Sequence, residues 1–192
     1  MKGVRLRLLV LVSAVTLGAG TPSAVADEVS VPIDLQVALL GRVLRYERTY
    51  ASETTPVQVL VVSRSGSPAS VRVGSQLTAA LRRSGSLGGR AVSVTPVSYT
   101  TAAALRASAN ASRARVVYLA AGLGDQLAEI DGALTDRDLF LVSTVGPDVE
   151  RGAVIGFELV SSRPRIIVNL RAARARRLQF NGQFLRLARV VQ

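Results

Sequence analysis

The sequence predicts an α/β fold: a mostly parallel sheet of about four strands with crossover helices, followed by a C-terminal antiparallel β-hairpin and terminal helices. Three observations predict it. Short, nearly continuous apolar runs such as residues 57–62 are typical of strands buried on both faces of a parallel sheet. Segments with helical spacing of apolar residues alternate with these runs at regular intervals, which indicates right-handed crossovers. Two later apolar runs are separated only by residues 161–164, which is short enough for a hairpin.

The first 26 residues are predicted to be a cleaved secretory signal peptide. Three basic residues precede an apolar run at residues 8–17, and a small-x-small cleavage site ends at Ala26. The run is shorter than the roughly 20 residues that a membrane span needs, and a retained N-terminal anchor is the alternative. Cleavage would leave a single domain at residues 27–192, in the periplasm of a cell with two membranes.

The first half of that domain opens with a predicted helix from Ile33 to about Tyr50, which carries arginines at every third position along its solvent edge. The strand at residues 57–62 follows, and then a helix to about Arg83. The turn between them contains Ser65, Gly66 and Ser67. Such a turn at a helix N-terminus either binds an anion through its free N–H groups or simply caps the helix.

Three more strands are predicted at residues 90–97, 115–120 and 139–144, separated by helices at residues 100–112 and 125–133. In a parallel sheet the carboxyl ends of the strands lie at one edge, where ligands bind. This topology predicts a ligand cleft at that edge. Its candidate residues are Ser65, Gly66, Ser67, Gly122 and Gly124.

The C-terminal region is predicted to end in two helical segments after the hairpin. Asn169 closes the second hairpin strand and is a candidate cap for the first segment. Residues 182–191 have an amphipathic pattern in which Phe184, Leu187, Ala188 and Val191 face inward.

Composition excludes most catalytic chemistry. The chain has no His and no Cys, and its only Lys is Lys2, within the predicted signal peptide. Ser-His, Cys-His and Ser-Lys dyads, Schiff bases and zinc sites built on His or Cys are therefore unavailable. We expect a protein that is not an enzyme and needs no cofactor or metal; a carboxylate enzyme is the alternative that composition leaves open. The absence of Cys also means that no disulfide supports the fold.

The charge is strongly positive. The predicted signal peptide holds three of the 24 basic residues and none of the 13 acidic ones, so the mature chain carries 21 against 13, a net charge of +8. Residues 159–192 contain eight Arg and no acidic residue, which would attract an anionic partner or phospholipid headgroups. Arg171, Arg174 and Arg177 recur at threes and are the candidates for partner contact. Alternatively, these arginines only keep the protein soluble. Nucleic acid is not expected as a partner, because export removes the protein from it.

The stretch GAVIGFELVSSRPRIIVNL, residues 152–170, resembles the signature of the YfiR (YfiR/HmsC-like) family: Gly-x-x-Ile-x-Phe, a turn, a basic residue, and Ile-x-Val/Ile-Asn. The final segment, Gln-Phe-Leu-Arg-Leu-Ala-Arg-Val-Val, is similar too. The resemblance extends over the mature chain and is strongest at residues 139–191. The matching positions are Gly152, Phe157, Arg165, Asn169, Leu185 and Ala188, which we interpret as architecture. Some members carry disulfides, and this chain departs from them.

The resemblance implies a non-catalytic periplasmic signalling regulator. Such a protein would restrain a membrane-bound diguanylate cyclase or sensor kinase through contact with its periplasmic domain, and so tune cyclic-di-GMP and biofilm formation. A homodimer is a further expectation from the family. The alternative is a periplasmic sensor module for a small ligand, resembling one lobe of a substrate-binding protein and using the cleft described above.

Overall fold

A computed structural model describes residues 31–192, and the predicted signal peptide lies outside these residues. In this part of the chain seven α-helices alternate with eight strands. The helices are Ile33–Leu44 (α1), Arg48–Ser52 (α2), Pro68–Ser84 (α3), Ala102–Ala111 (α4), Leu127–Leu134 (α5), Leu170–Ala175 (α6) and Gly182–Leu185 (α7). The strands are Val57–Arg64 (β1), Ser86–Leu87 (β2), Arg90–Tyr99 (β3), Val116–Leu119 (β4), Phe140–Ser143 (β5), Ile155–Val160 (β6), Arg163–Asn169 (β7) and Arg189–Val191 (β8).

All eight strands form one sheet in the order β2-β3-β1-β4-β5-β6-β7-β8. The five strands from β3 to β6 are mutually parallel, β6 and β7 form the antiparallel hairpin, and β8 pairs in parallel with β7. The predicted mostly parallel α/β fold is confirmed, but the prediction of about four strands is wrong. The hairpin does not stand apart, because Ile155 of β6 pairs with Val142 of β5 and so continues the same sheet.

The core lies on both faces of this sheet. Strands β4 and β5 are buried along their whole length, as their apolar sequences require. Helix α3 packs with α1, and α4 packs with α5. Because the chain reverses its direction of travel across the sheet at β3, right-handed crossovers place these two pairs on opposite faces.

The first predicted helix is interrupted. Helix α1 ends at Leu44 rather than near Tyr50, and the short α2 follows. Glu47 takes an extended backbone between them, and its carboxylate accepts a hydrogen bond from the Tyr50 N–H. A side chain that caps a new helix in this way replaces the continuing backbone hydrogen bonds of the first one.

The predicted final helix at residues 182–191 is helical only in its first four residues. Helix α7 ends at Leu185, and the chain then forms β8. Strand β7 would otherwise leave an open row of backbone N–H and C=O groups, which β8 satisfies, and Val190 and Val191 favour a strand. As a result Leu187, predicted to face inward, is 73% exposed, whereas Phe184 is 2% exposed.

The opposite edge of the sheet is formed by β3, which extends well beyond the two-residue β2. The Val92 N–H points outward and donates to Gly85 O at 3.2 Å. Pro96 lies four residues further along the strand, so its nitrogen also faces outward. This nitrogen carries no hydrogen and cannot donate to another strand. Arg82 donates to the outward carbonyl of Val94 at 3.4 Å. This edge is therefore interrupted at both of its central outward positions. Across residues 31–192, no helix combines the length and the apolarity that a membrane span requires.

Candidate functional site

The C-terminal arginines divide into two groups. Four of the eight form ion pairs with carboxylates, and Arg176 is the most buried of these, with Nη2 2.5 Å from Asp131 Oδ1. The paired arginines are Arg165, Arg176, Arg177 and Arg189. Arg163, Arg171, Arg174 and Arg186 are exposed and have no ion-pair partner among residues 31–192. About half of the positive charge predicted for contact is thus used within the fold.

The three partner-contact candidates lie on and just after α6. Arg171 and Arg174 point to solvent, while Arg177 is held by Asp138, with its Nε 2.7 Å from Oδ1. The helix itself is anchored by buried Ala172 and Ala173. Its two unpaired guanidinium groups are therefore presented from a fixed support, which favours Arg171 and Arg174 over Arg177 as contacts.

The signature positions have structural roles. The Asn169 side chain caps α6 by accepting from the Ala172 N–H at 2.9 Å, and it donates to Val149 O at 2.8 Å. Gly152 has a φ of 130°, which L side chains rarely adopt, and an added Cβ would lie 3.0 Å from Asp131 Cγ. Phe157 is buried, Arg165 pairs with Glu158, and Leu185 and Ala188 pack partly buried against the core.

The turn after β1 behaves as a helix cap. Ser67 is the N-cap of α3, and its Oγ accepts from the Ser70 N–H at 3.3 Å. Ser70 Oγ in turn accepts from the Arg64 N–H at 2.9 Å. Gly66 supplies a left-handed φ of 72° in the turn, and Ser65 is exposed beside it.

The carboxyl ends of β1 and β4 meet as the topology predicts. Arg64 Nη1 donates to Gly122 O at 3.2 Å and lies 3.9 Å from Asp125 Oδ2. Gly122 also lies against Ser70, and Gly124 lies close to the guanidinium of Arg151. The structure thus brings Gly122 to the end of β1 through Arg64 and Ser70, whereas the neighbours of Gly124 are Arg151 and Asp148. Ligand binding there stays a prediction.

A buried carboxylate, Asp148, lies near the carboxyl end of β5, the strand next to β4 in the sheet. Ser143 Oγ donates to Asp148 Oδ2 at 2.6 Å and accepts from the Val145 N–H at 3.1 Å. Burial raises the pKa of Asp148, although the Ser143 hydrogen bond and the Arg151 charge oppose this. The pair fixes the loop after β5. Sequence reasoning missed it, because only the fold brings a Ser at a strand end against an Asp in the following turn.

A groove of about 550 Å³ runs along α3 beside the β3 edge. Its apolar walls come from both elements, and its polar groups include Ser63 and Ser98 at the strand ends. The main lining residues are Val61, Val71, Thr78, Arg82, Pro96 and Val97. Thr78 Oγ1 is buried without a hydrogen-bond partner among the described residues. The positions of Val71, Ser75, Thr78 and Arg82 along one helix face were the sequence signal that could have located it.

Across residues 31–192 there is no group of three or more His, Cys, Asp or Glu side chains placed to hold a metal ion.

Comparison with known proteins adds a family and a fold. A family described as YfiR/HmsC-like matches residues 33–189. A search of curated proteins gives no match.

Three solved structures share the fold. The first is a conserved domain protein from Vibrio cholerae O1 biovar El Tor, with a TM-score of 0.62 and 13% identity, and the match covers 84% of this chain and 60% of that one. The second is an ABC domain in complex with L-Trp from Streptococcus pneumoniae, with a TM-score of 0.61 and 9% identity, covering 83% of this chain and 62% of that one. The third is a ligand-free, open substrate binding protein with adhesive properties from Clostridium difficile, with a TM-score of 0.57 and 14% identity, covering 84% of this chain and 60% of that one. The chain spans about three fifths of the length of these proteins. At such identities the likeness concerns the fold alone.

Proposed function

We infer the function of this chain from its family: the chain belongs to the YfiR/HmsC-like family. The family is a regulatory one without catalysis. We propose that the chain is a periplasmic signalling regulator that contacts the periplasmic domain of a membrane-bound diguanylate cyclase or sensor kinase, and thereby tunes cyclic-di-GMP and biofilm output. Its location in the periplasm, through the predicted signal peptide, is part of the proposal.

The observation that supports contact most directly is the exposed, unpaired charge on α6. Arg171 and Arg174 have no carboxylate within residues 31–192 to neutralise them, and the helix beneath them is fixed by its buried alanines and the Asn169 cap. Fixed charges of one sign steer an acidic partner and speed its encounter. We expect the partner to present Asp or Glu side chains to this helix.

Charge reversal tests the contact. The double variant Arg171→Glu/Arg174→Glu is compared with Arg42→Glu/Arg72→Glu, which makes the same change of charge at two positions on α1 and α3. Each tagged protein is crosslinked in the periplasm of its host, and the membrane proteins recovered are identified and quantified. We expect a cyclase or kinase with a periplasmic domain to be recovered by the wild type and by the control pair, and at least about tenfold less by the α6 pair. Equal recovery by both pairs, or no cyclase or kinase in any sample, would refute the proposal.

The second candidate is a small-ligand sensor, which the groove along α3 favours. Its volume is in the range of small-molecule sites, and the fold is shared with a protein named as substrate-binding. The predicted cleft residues Ser65, Gly66, Ser67, Gly122 and Gly124 lie at the neighbouring strand ends and belong to the same proposal. A thermal-shift screen of metabolites tests it, because a ligand that binds only the folded state raises the apparent stability by mass action. A screen without a hit would count against this candidate and leave the first one standing.

A further inference from the structure

A polar cavity of about 470 Å³ opens at the amino ends of the parallel strands. The predicted cleft lies at the other end of the same strands, at their carboxyl ends. Strands β1, β3, β4 and β5 all begin beside the cavity. Five arginines and three carboxylates line it: Arg90, Arg113, Arg115, Arg137 and Arg177, with Glu53, Asp136 and Asp138. Neither the regulator proposal nor the small-ligand candidate uses this cavity.

Each carboxylate of the cavity already has an arginine. The pairs are Glu53–Arg90 at 2.8 Å, Asp138–Arg177 at 2.7 Å and Asp136–Arg106 at 2.6 Å, the last arginine being outside the lining. Arg115 lies further from its acids, 3.5 Å from Glu47 and 3.8 Å from Glu53. Arg113 and Arg137 have no carboxylate partner among residues 31–192. The cavity therefore keeps an excess of positive charge.

Two of these arginines also hold donors that nothing accepts. The Nε atoms of Arg115 and Arg137 are buried and have no hydrogen-bond partner in the described part of the chain. The Arg115 side chain is only 12% exposed, and Arg137 donates through Nη1 to Asn110 Oδ1. A buried donor without an acceptor is unfavourable, so the hydrogen bonds within the fold leave Arg115 and Arg137 incompletely satisfied.

The backbone provides an independent observation. Arg113 and Arg177 have φ values of 50° and 56°, in the left-handed region that side chains seldom adopt. Each is the left-handed residue that ends a helix: Ala114 N–H bonds back to Ala109 O and Leu178 N–H to Ala173 O, both at 2.9 Å. Gly usually occupies this position. At the ends of α4 and α6 the chain instead places an arginine, and both line the same cavity.

We propose that this cavity is a binding site for a small polyanion, a phosphate compound or a polycarboxylate with at least two negative charges. Arg113 and Arg137 contact the anion, since guanidinium groups match phosphate and carboxylate oxygens with paired donors. Arg115 lies beneath them and adds buried positive charge. The site does not depend on the regulator proposal, and loss of one would leave the other intact.

Calorimetric titration with pyrophosphate and, in parallel, with citrate tests the site at constant ionic strength. The variants are Arg113→Gly and Arg137→Gln, and the matched control is Arg72→Gln, an exposed arginine on α3 outside the lining. We expect saturable binding of one or both probes by the wild type, at least about tenfold weaker binding by the two cavity variants, and unchanged binding by the control.

Arg113→Gly also separates loss of binding from loss of folding. Glycine accepts the left-handed backbone, so the melting temperature of this variant without probe should equal or exceed that of the wild type. Weaker binding by a variant of undiminished stability supports the site. Equal affinity in all four proteins would show general attraction to a basic chain and overturn the proposal, as would no binding of either probe.

Discussion

The carboxylate of Glu47 accepts a hydrogen bond from the backbone N–H of Gln179, which lies 132 residues further along the chain, at 3.1 Å. Its other oxygen accepts from the Tyr50 N–H at 2.7 Å and lies 3.5 Å from the Arg115 guanidinium. Glu47 is completely buried. One side chain thus fixes the end of the first helical region, the C-terminal segment and the base of β4 together.

Removal of this carboxylate should therefore be costly. In Glu47→Ala the buried Arg115 loses a partner and two backbone N–H groups lose their acceptor, so we expect a loss of about 3–5 kcal/mol in the free energy of unfolding. Urea denaturation measures it. The control is Asp34→Ala, whose ion pair with Arg83 is exposed and whose loss should cost less than about 1 kcal/mol. Similar losses in the two variants would contradict the role of Glu47.

Helix α7 and the residues that follow it allow two apolar side chains, one buried and one exposed, to be compared. Phe184 stacks on Tyr46 with ring centroids 5.6 Å apart and lies 5.2 Å from the Phe180 ring, whereas Leu187 is 73% exposed. We expect Phe184→Ala to lower the free energy of unfolding by about 3–5 kcal/mol and Leu187→Ala to change it by less than about 0.5 kcal/mol. If chemical denaturation found Leu187 the more sensitive, the inward orientation first predicted for it would be restored.

Two glycines should respond with opposite signs to the same substitution. A Cβ at Gly156 would lie 2.5 Å from Val149 Cγ2, while a Cβ at Gly132, within α5, would meet nothing within 4 Å. Gly156→Ala should be destabilising by about 1–3 kcal/mol through overpacking. Gly132→Ala should be stabilising by about 0.4–1 kcal/mol, because the unfolded chain loses freedom. Thermal unfolding of both variants measures the two changes in stability. A stabilised Gly156→Ala would show that Gly156 and Val149 leave room for a methyl group.

Asp148 should make stability depend on pH in an unusual direction for an aspartate. Burial raises its pKa above the ordinary value of 3.8, so the folded state binds the proton more tightly than the unfolded state. The contribution of Asp148 to the free energy of unfolding then falls as the pH rises from its pKa in the unfolded state through its raised pKa in the folded state. The reason is that ionising the buried carboxyl is unfavourable. The variant Asp148→Asn removes this titration, and its side-chain amide oxygen still offers an acceptor to the Ser143 hydroxyl.

The measurement is the free energy of unfolding of both proteins between about pH 4 and pH 7, the interval above the ordinary pKa of an aspartate. Relative to the wild type, Asp148→Asn should gain stability steadily as the pH rises and then level off. Gly132→Ala, which changes no ionisable group, serves as the control and should keep a constant difference from the wild type. A constant difference for Asp148→Asn as well would mean that the carboxyl titrates normally in the folded protein.

The parallel sheet was readable from the sequence because its central strands are wholly apolar and the helices between them are well separated. The number of strands was not readable, since a hairpin alone and a hairpin that extends a sheet have the same local pattern. Strand β8 has only three residues and exists because β7 offers it a free edge. The break after Leu44 depends on Glu47, whose acceptor role requires a segment far away in the sequence.

The arginine surface shows the same limit. Spacing at threes made Arg171 and Arg174 candidates for partner contact, and both side chains are exposed in the structure. That spacing could not show that Arg177 meets Asp138, or that the neighbouring Arg176 is buried against Asp131. Asp131 lies in α5 and Asp138 in the segment that follows it, both far away in the sequence. The basic cavity escaped sequence reasoning for the same reason: its arginines come from four separate segments of the chain and follow no local period.

The β3 edge has a consequence for how the protein behaves when crowded. Eight strands in one open sheet would leave a long border onto which another chain could add, the usual first step of aggregation. Pro96 and the Arg82 contact to Val94 remove consecutive pairing positions from that border. Replacement of these two exposed residues would open consecutive pairing positions and so favour polymerisation, without changing a side chain of the buried core.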